Sequence, residues 1–281
     1  MKYIFLFFSA SLFGQGILDE HYLSFYNQNY SKLNPSHIGQ TNSQEVFINY
    51  SSFNGVKSII KDFYLNTYIQ TKDSSFAFGL NLSNNQEGPF IQYNSINIPI
   101  NYFIIKNKNL RICAALSPGI FNYHIAADEY TGGGSAWAGK LDFGVWLQSQ
   151  TINIGFAINN LVFGELQPID VIYKKEKILT TLLSKEFLIN RELKYSSTIN
   201  LNYGKNQGPI LDFFNELNYH NYILIASLLD TSIISIGAGL ENYEINKVHL
   251  NINFVYNVNT VNNSLQRSNK YGIGIKIFYH R

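Results

Sequence analysis

One cysteine, one methionine, six prolines and only 14% charged residues mark what this 281-residue chain does without. A lone cysteine, Cys113, excludes any disulfide within the chain, so nothing covalent staples the fold. Soluble domains carry about 25% charge, and a chain this poor in Lys, Glu, Leu and Ala lacks the residues from which helical bundles are built. Disorder is excluded from the other side, because 46% apolar residues and a net charge of +2 give the chain a core to bury and no reason to stay expanded. With 21 Lys and Arg against 19 Asp and Glu and no long cationic run, it is not a nucleic-acid binder. Beyond the first residues there is no run of 18 apolar residues, so no transmembrane helix is expected. What replaces the missing residues is aromatic and amide: 20 Tyr, 21 Phe and abundant Asn, at a mean hydropathy of only -0.08.

The first residues have a leader's form. Lys2 precedes the apolar run Tyr3 to Phe8, which softens into Ser9, Ala10 and Ser11 before Gly14 and Gly16. The run is too short to span a bilayer, so residues 1–15 read as a signal peptide cut near Gly14 to Gly16 and the mature chain as exported. Residues 16–43 form a polar lead-in with Tyr22, Phe25, Tyr26 and Tyr30, suited to plug or line a lumen. Cys113, in the run Arg111 to Leu116, reads as a small buried hydrophobe rather than a nucleophile.

From residue 44 to 281 the pattern is strand and turn. Fourteen segments rich in Ile, Val, Phe, Tyr and Thr are expected at 44–53, 61–71, 74–84, 91–105, 109–123, 137–148, 151–160, 177–189, 192–204, 208–218, 219–229, 231–241, 246–259 and 270–279. Each is close to the ~9–11 residues that cross a bilayer at a tilt. Alternation is clearest in Asn153 to Asn159, Phe63 to Ile69 and His249 to Phe254, where one face is apolar and the other small or polar but uncharged. A soluble sandwich would place Lys and Glu on that second face, whereas a barrel in lipid turns its apolar residues outward and neutral polar residues inward. The fold expected is therefore all-β, a transmembrane antiparallel barrel of about fourteen strands in one domain with an N-terminal plug. Tyr50, Tyr68, Tyr93, Tyr102, Tyr203, Tyr256 and Tyr279 are expected at the headgroup level.

Motifs for chemistry dissolve on inspection. Gly134 to Lys140 has G-x-x-x-x-G-K spacing, but Leu141 follows where a phosphate loop needs Ser or Thr, and a Gly-rich turn is the simpler reading. His21, His37, His124, His220, His249 and His280 show no metal-binding spacing, and Asp128-Glu129 reads as a solvated loop tip. There is no G-x-S-x-G. Lys174-Lys175-Glu176-Lys177 reads as a turn at a membrane face. No enzyme, metal or cofactor is expected.

One resemblance organises the rest. Tyr26, Asn29 and Leu33-Asn34-Pro35-Ser36-His37-Ile38-Gly39 resemble the Y-x-x-N-x-x-x-L-N-P-A-Y-A-G opening of the PorP/SprF family, barrels of the Bacteroidetes outer membrane associated with type IX secretion and gliding motility. Asn34, Pro35 and Gly39 match; Ser36, His37 and Ile38 depart. Asn84 to Pro89, with Gly88, resembles the family's N-D-x-x-G turn. Leu141-Asp142-Phe143-Gly144-Val145 followed by Ile154 to Leu161 resembles its D-F-G-x-G segment and the strand behind it, and Tyr256-Asn257 stands where the family has Tyr-Asp. Ser268 to Ile273 replaces its S-H-E-I, and Tyr50-Ser51-Ser52-Phe53 lacks its Arg and Trp. The likeness runs in order from about residue 22 to 278.

The resemblance implies a docking role. Such a barrel holds the C-terminal domain of a secreted cell-surface protein such as an adhesin, or links the outer membrane and its lipid to periplasmic parts of the secretion machinery. Residues 124–136 and 160–176 are the expected partner-facing loops. The alternative is an outer-membrane channel of the fatty-acid-transporter type, also fourteen-stranded with an N-terminal plug. It requires an apolar tunnel and a lateral opening at a strand kink such as Ile98-Pro99 or Ser117-Pro118-Gly119. A soluble sugar-binding sandwich is a third reading.

Overall fold

β-Branched and aromatic residues at every second position suit a pleated surface with one wet and one dry face, and the chain uses that pattern almost without interruption. The computed structural model describes residues 30–40, 43–54, 59–73, 75–87, 89–127, 132–169, 172–205, 208–229, 233–245, 247–259 and 270–280. The proposed signal peptide, Gly88 and the pair Asp128-Glu129 lie outside the described residues.

Fifteen strands follow in order: β1 (Ser43–Asn54), β2 (Ile59–Gln70), β3 (Phe76–Glu87), β4 (Ile91–Asn97), β5 (Ile100–Lys106), β6 (Leu110–Ile125), β7 (Gly134–Ser149) and β8 (Ile152–Phe163). Then come β9 (Ile178–Leu188), β10 (Leu193–Gly204), β11 (Gly208–Tyr219), β12 (Tyr222–Leu229), β13 (Ile233–Ile245), β14 (Val248–Asn259) and β15 (Lys270–His280). β4 and β5 are two halves of one wall strand, since both pair with β3 and with β6. Pro99 separates them because it has no N–H for the ladder. Its carbonyl still accepts from Gly79 N at 2.9 Å, and Ile98 N donates to Pro118 O at 2.8 Å, so the wall bends without opening. The result is fourteen antiparallel spans, each expected segment included. β1 closes on β15 from Ser43↔His280 to Phe53↔Lys270, which leaves no sheet edge.

The faces divide as lipid requires. Ile154 and Phe156 point out while Gly155 and Ala157 are buried; Phe63 and Ile69 point out while Tyr64, Asn66 and Tyr68 are buried. Exposed Phe76, Tyr102, Tyr219, Tyr243 and Tyr279 gird one end of the apolar band, and Tyr50, Phe63, Tyr203, Tyr256 and Tyr271 the other. Tyr68 and Tyr93 depart from the expected headgroup positions. Both sit on the inward parity of their strands, 5% exposed, and Tyr68 donates its hydroxyl to Glu45 Oε2 at 2.8 Å.

Connections at the end that carries Ser43 and His280 are short, as at 150–151, 220–221 and 246–247, whereas 126–133, 164–177 and 260–269 lengthen the other end. Short periplasmic turns and long external loops are the rule for such barrels, so the termini end faces the periplasm. The Gly134 to Lys140 tract, expected as a turn, is instead the outer half of β7, paired from Ile125↔Gly134 to Gly119↔Lys140. Pairing along the 16-residue β6 overrides the local turn signal. β6 and β7 thereby carry the wall beyond the membrane.

Candidate functional site

The described part of the lead-in lies inside the barrel. A single helical turn, α1 (Tyr30–Leu33), is followed by a 3-10 turn, Pro35–His37. Asn34 caps the second turn: its Oδ1 accepts from Ser36 N at 3.0 Å and Ser36 Oγ at 2.5 Å. Its Nδ2 donates to Val145 O on β7 at 3.0 Å and to Phe156 O on β8 at 3.1 Å. One side chain thus shapes the segment and bolts it to the wall.

Irregular backbone at membrane depth survives only where protein satisfies it, and the inward amides do so here. Asn159 Nδ2 donates to Leu33 O at 2.8 Å, and Asn101 Nδ2 to Ser36 O and Ile38 O at 3.0 and 2.8 Å. Gln70 Nε2 reaches Gly39 O at 3.3 Å, and Arg111 donates to Gln40 O. Cys113 Sγ donates to Ser36 O at 3.2 Å, and Gln40 Nε2 approaches that sulfur at 2.9 Å. Cys113 is fully buried, as its apolar run predicts, yet its neighbour is the seated segment rather than a dry core. Tyr30 bonds Thr198 Oγ1 at 3.0 Å and packs on His37 and Trp146 at ring distances of 5.1 and 5.6 Å, and those two rings lie 4.9 Å apart.

Five of the seven positions taken from the family motifs converge on this seat. Gly144 faces Asn34 so closely that a Cβ there would lie 2.0 Å from Asn34 Oδ1 and 3.0 Å from Pro35 Cδ. Gly39 ends the segment at φ +78°, with Ala77 Cβ 2.5 Å from where its own Cβ would be. Asp142 works from behind. Opposite it, β8 carries two residues, Asn159 and Asn160, where one would fit, so the strand bulges. Asp142 Oδ1 accepts from Asn160 N at 2.7 Å, Lys140 Nζ lies 3.3 Å from its other oxygen, and Asn160 takes φ 61°. The bulge leaves Asn159 aimed at Leu33. Tyr256 stands apart, outward on the outer girdle, and Gly88 lies outside the described residues.

Above the seat is a small polar cavity of about 60 Å³ lined by Lys32, Ser83, Ser95, Asn97, Lys140 and Asp142. The kink at Ile98-Pro99 is present, but the cavity it borders is polar rather than an apolar tunnel. Across the lumen, the buried Asn253 amide and the Ser227 and Ser235 hydroxyls have no partner among the described residues. At the outer mouth the chain after β8 folds back through the bridge Leu166↔Tyr173. Leu166, 1% exposed, enters a cluster with Tyr93, Phe121, Tyr123 and Ala138. Tyr173 stacks on Tyr123 at 4.3 Å, and Lys175 Nζ sits 4.5 Å above the Phe121 ring. The loop is legible in the sequence but its inward fold is not, since that depends on aromatics of β4 and β6, distant in the chain. Among the described residues there is no cluster of metal-ligating side chains.

Comparisons place this geometry. The structure resembles the Pseudomonas putida toluene transporter TodX (TM-score 0.55, 11% identity, 90% of this chain and 93% of that one). It also resembles the CymD monoaromatic hydrocarbon channel (0.56, 11%, 89% and 91%) and a Pseudomonas aeruginosa FadL homologue (0.53, 9%, 88% and 92%). At such identities the likeness is one of fold, an outer-membrane barrel. No curated protein matches the sequence. The model of the type IX secretion system membrane protein PorP/SprF matches residues 15–277, which span the seated segment, its Asn34–Gly144 contact and the barrel to its last strand. The chain belongs to the PorP/SprF family.

Proposed function

We propose that this outer-membrane barrel is an anchor: it binds the C-terminal domain of a type IX-secreted surface protein at its outer face. The observation that carries this reading is the seat of residues 30–40, where five successive points of the backbone are held by wall side chains. A lumen crossed by so fixed a segment suits docking better than conduction. The outer face offers what docking uses, a wall extended by β6 and β7 and an aromatic cluster already holding one inserted leucine. An extended partner segment would gain apolar and cation–π contacts there. Membership in a membrane-barrel family of the secretion system, rather than an enzyme family, fits the same reading.

The family's link to the secretion machinery gives the periplasmic end a second role. That mouth carries inward ion pairs, Lys276–Glu45 at 2.8 Å and Lys194–Glu186 at 4.0 Å, suited to a polar partner.

The test is isolation of the barrel from native outer membranes in mild detergent. Recovery of a surface protein in equal amount, lost when its C-terminal domain is deleted, is the expected result. A barrel recovered alone that takes up hydrophobic small molecules into vesicles would overturn it in favour of the fatty-acid-transporter-type channel.

A further inference from the structure

The outer aromatic girdle is broken in one sector. Across five neighbouring strands, β2, β3, β4, β6 and β7, direct pairing aligns Phe63, Asn84, Asn94, Asn122 and Trp137 in a row on the outward face. One row nearer the membrane centre the same strands present Leu65, Leu82, Ile96 and Ile120, which belong to the lipid band. The tilt of barrel strands makes the row climb from the girdle into the headgroup layer. Elsewhere on the rim that level is held by Tyr50, Tyr203, Tyr256 and Tyr271.

The three asparagines are wired together. Asn84 Nδ2 donates to Asn94 Oδ1 at 2.6 Å, Asn94 Nδ2 to Asn122 Oδ1 at 3.3 Å, and Asn122 Nδ2 to Ser135 Oγ at 2.7 Å. Asn122, 4% exposed, anchors the chain, and the partly exposed amides of Asn84 and Asn94 are held in fixed orientation. The next row out carries Lys61, Gln86, Gln92 and His124 on the same face, without a hydrogen bond or ion pair to any other described residue. At the row's end Trp137 is 61% exposed. Inside, the same wall is stiffened by the Tyr93, Phe121 and Tyr123 cluster.

We propose that this outward face binds the phosphorylated saccharide headgroup of an outer-leaflet glycolipid. The oriented amides of Asn84 and Asn94 match sugar hydroxyls, an exposed indole stacks on a pyranose face, and Lys61 supplies a cation for phosphate. Continuity with the lipid-facing band selects this occupant, because a molecule whose acyl chains pack on Leu82, Ile96 and Ile120 has its headgroup on the amide rows. The site is separate from the outer-mouth cluster, which is reached from the lumen side.

The test uses the full mature barrel and purified lipopolysaccharide, read by native mass spectrometry after exchange against phosphatidylethanolamine–phosphatidylglycerol vesicles. Heat-modifiable migration on gels reports folding in every variant. The wild type is expected to retain lipopolysaccharide in preference to phospholipid. The double variant Lys61→Glu with Gln92→Leu, and separately Trp137→Ala, are expected to retain about ten-fold less, the loss of one or two polar or ring contacts. Tyr203→Ala, on the far side of the same rim, is expected to leave retention unchanged. Equal retention by the folded double variant would overturn the proposal, as would a wild type with no preference or a face found covered by a protein instead.

Discussion

At Gly144 one methyl group decides whether the lumen segment can seat. The Asn34 side chain that a Cβ would strike is held on both sides by Val145 O and Phe156 O, so it has nowhere to retreat. Gly144→Ala is therefore expected to unseat residues 30–40 while the barrel itself still folds. Cys113, buried against Ser36 and Gln40, reports this directly: a thiol reagent that ignores the wild type should label the folded variant. Asn34→Ala removes the cap and both wall bonds, a loss of about 1–3 kcal/mol from segment docking, and should raise Cys113 labelling to a similar extent. Silence of Cys113 in both variants would show that the contact does not hold the segment. Much at this scale was legible. The L-N-P-x-x-x-G run and the D-F-G run were both visible in the chain, and the first announced a bend through proline's fixed φ and glycine's freedom. Their meeting was not, because 110 residues separate Asn34 from Gly144 and no local pattern encodes a contact across the lumen.

At the scale of the element, the strands carry two bulges of the same construction. Asn159 and Asn160 stand opposite Asp142, and Glu241 and Asn242 opposite Asn251; the second residue of each pair, an Asn, has positive φ and gives its N–H to the side chain across the ladder. Asn160→Gly should leave thermal stability nearly unchanged, since glycine accepts that φ freely. Asn160→Val should cost about 1–2 kcal/mol, the penalty of a β-branched residue in the left-handed region, and lower the unfolding temperature. Equal effects of the two substitutions would remove the conformational explanation. Alternation predicts every strand here but passes over both bulges, because the extra residue shifts parity for the remainder of its strand: Ser235 faces in before one bulge and Tyr243 faces out after it, although both are odd-numbered. The β4–β5 break was visible through Pro99, and the length of β7 was not, since Gly132 to Gly134 suggests a turn until β6 offers it a partner.

For the molecule as a whole, the solvent is the deciding fact. Leu116 is half exposed in the middle of the outward band, a position that would tolerate charge in water. Leu116→Arg is expected to destabilise the barrel by about 2–4 kcal/mol in lipid, as a charge at the bilayer midplane does; folding into vesicles measures it, and a neutral effect would argue against the membrane face. Excising residues 30–40 should convert the barrel into a conducting pore in planar bilayers, whereas the intact chain passes far less current. Unchanged conductance would mean that the seated segment does not set the permeability.

The chain's own residues determined the class of fold. Scarce charge, abundant Tyr, Phe and Asn, and fourteen alternating segments leave a lipid-facing barrel as the arrangement that buries every backbone polar group without helices. They also determined which residues face in along every stretch without a bulge, because parity is a local property of a strand; Tyr68 and Tyr93 obey it despite their place near strand ends. Tertiary structure alone decided what the inward amides are for. Asn101, Asn159 and Gln70 look alike in sequence, and only barrel closure brings them to the carbonyls of residues 33–39. Strand pairing likewise decided that Asn84, Asn94 and Asn122 form one row, since register between strands is set by the summed pairing of the whole wall and not by any one segment.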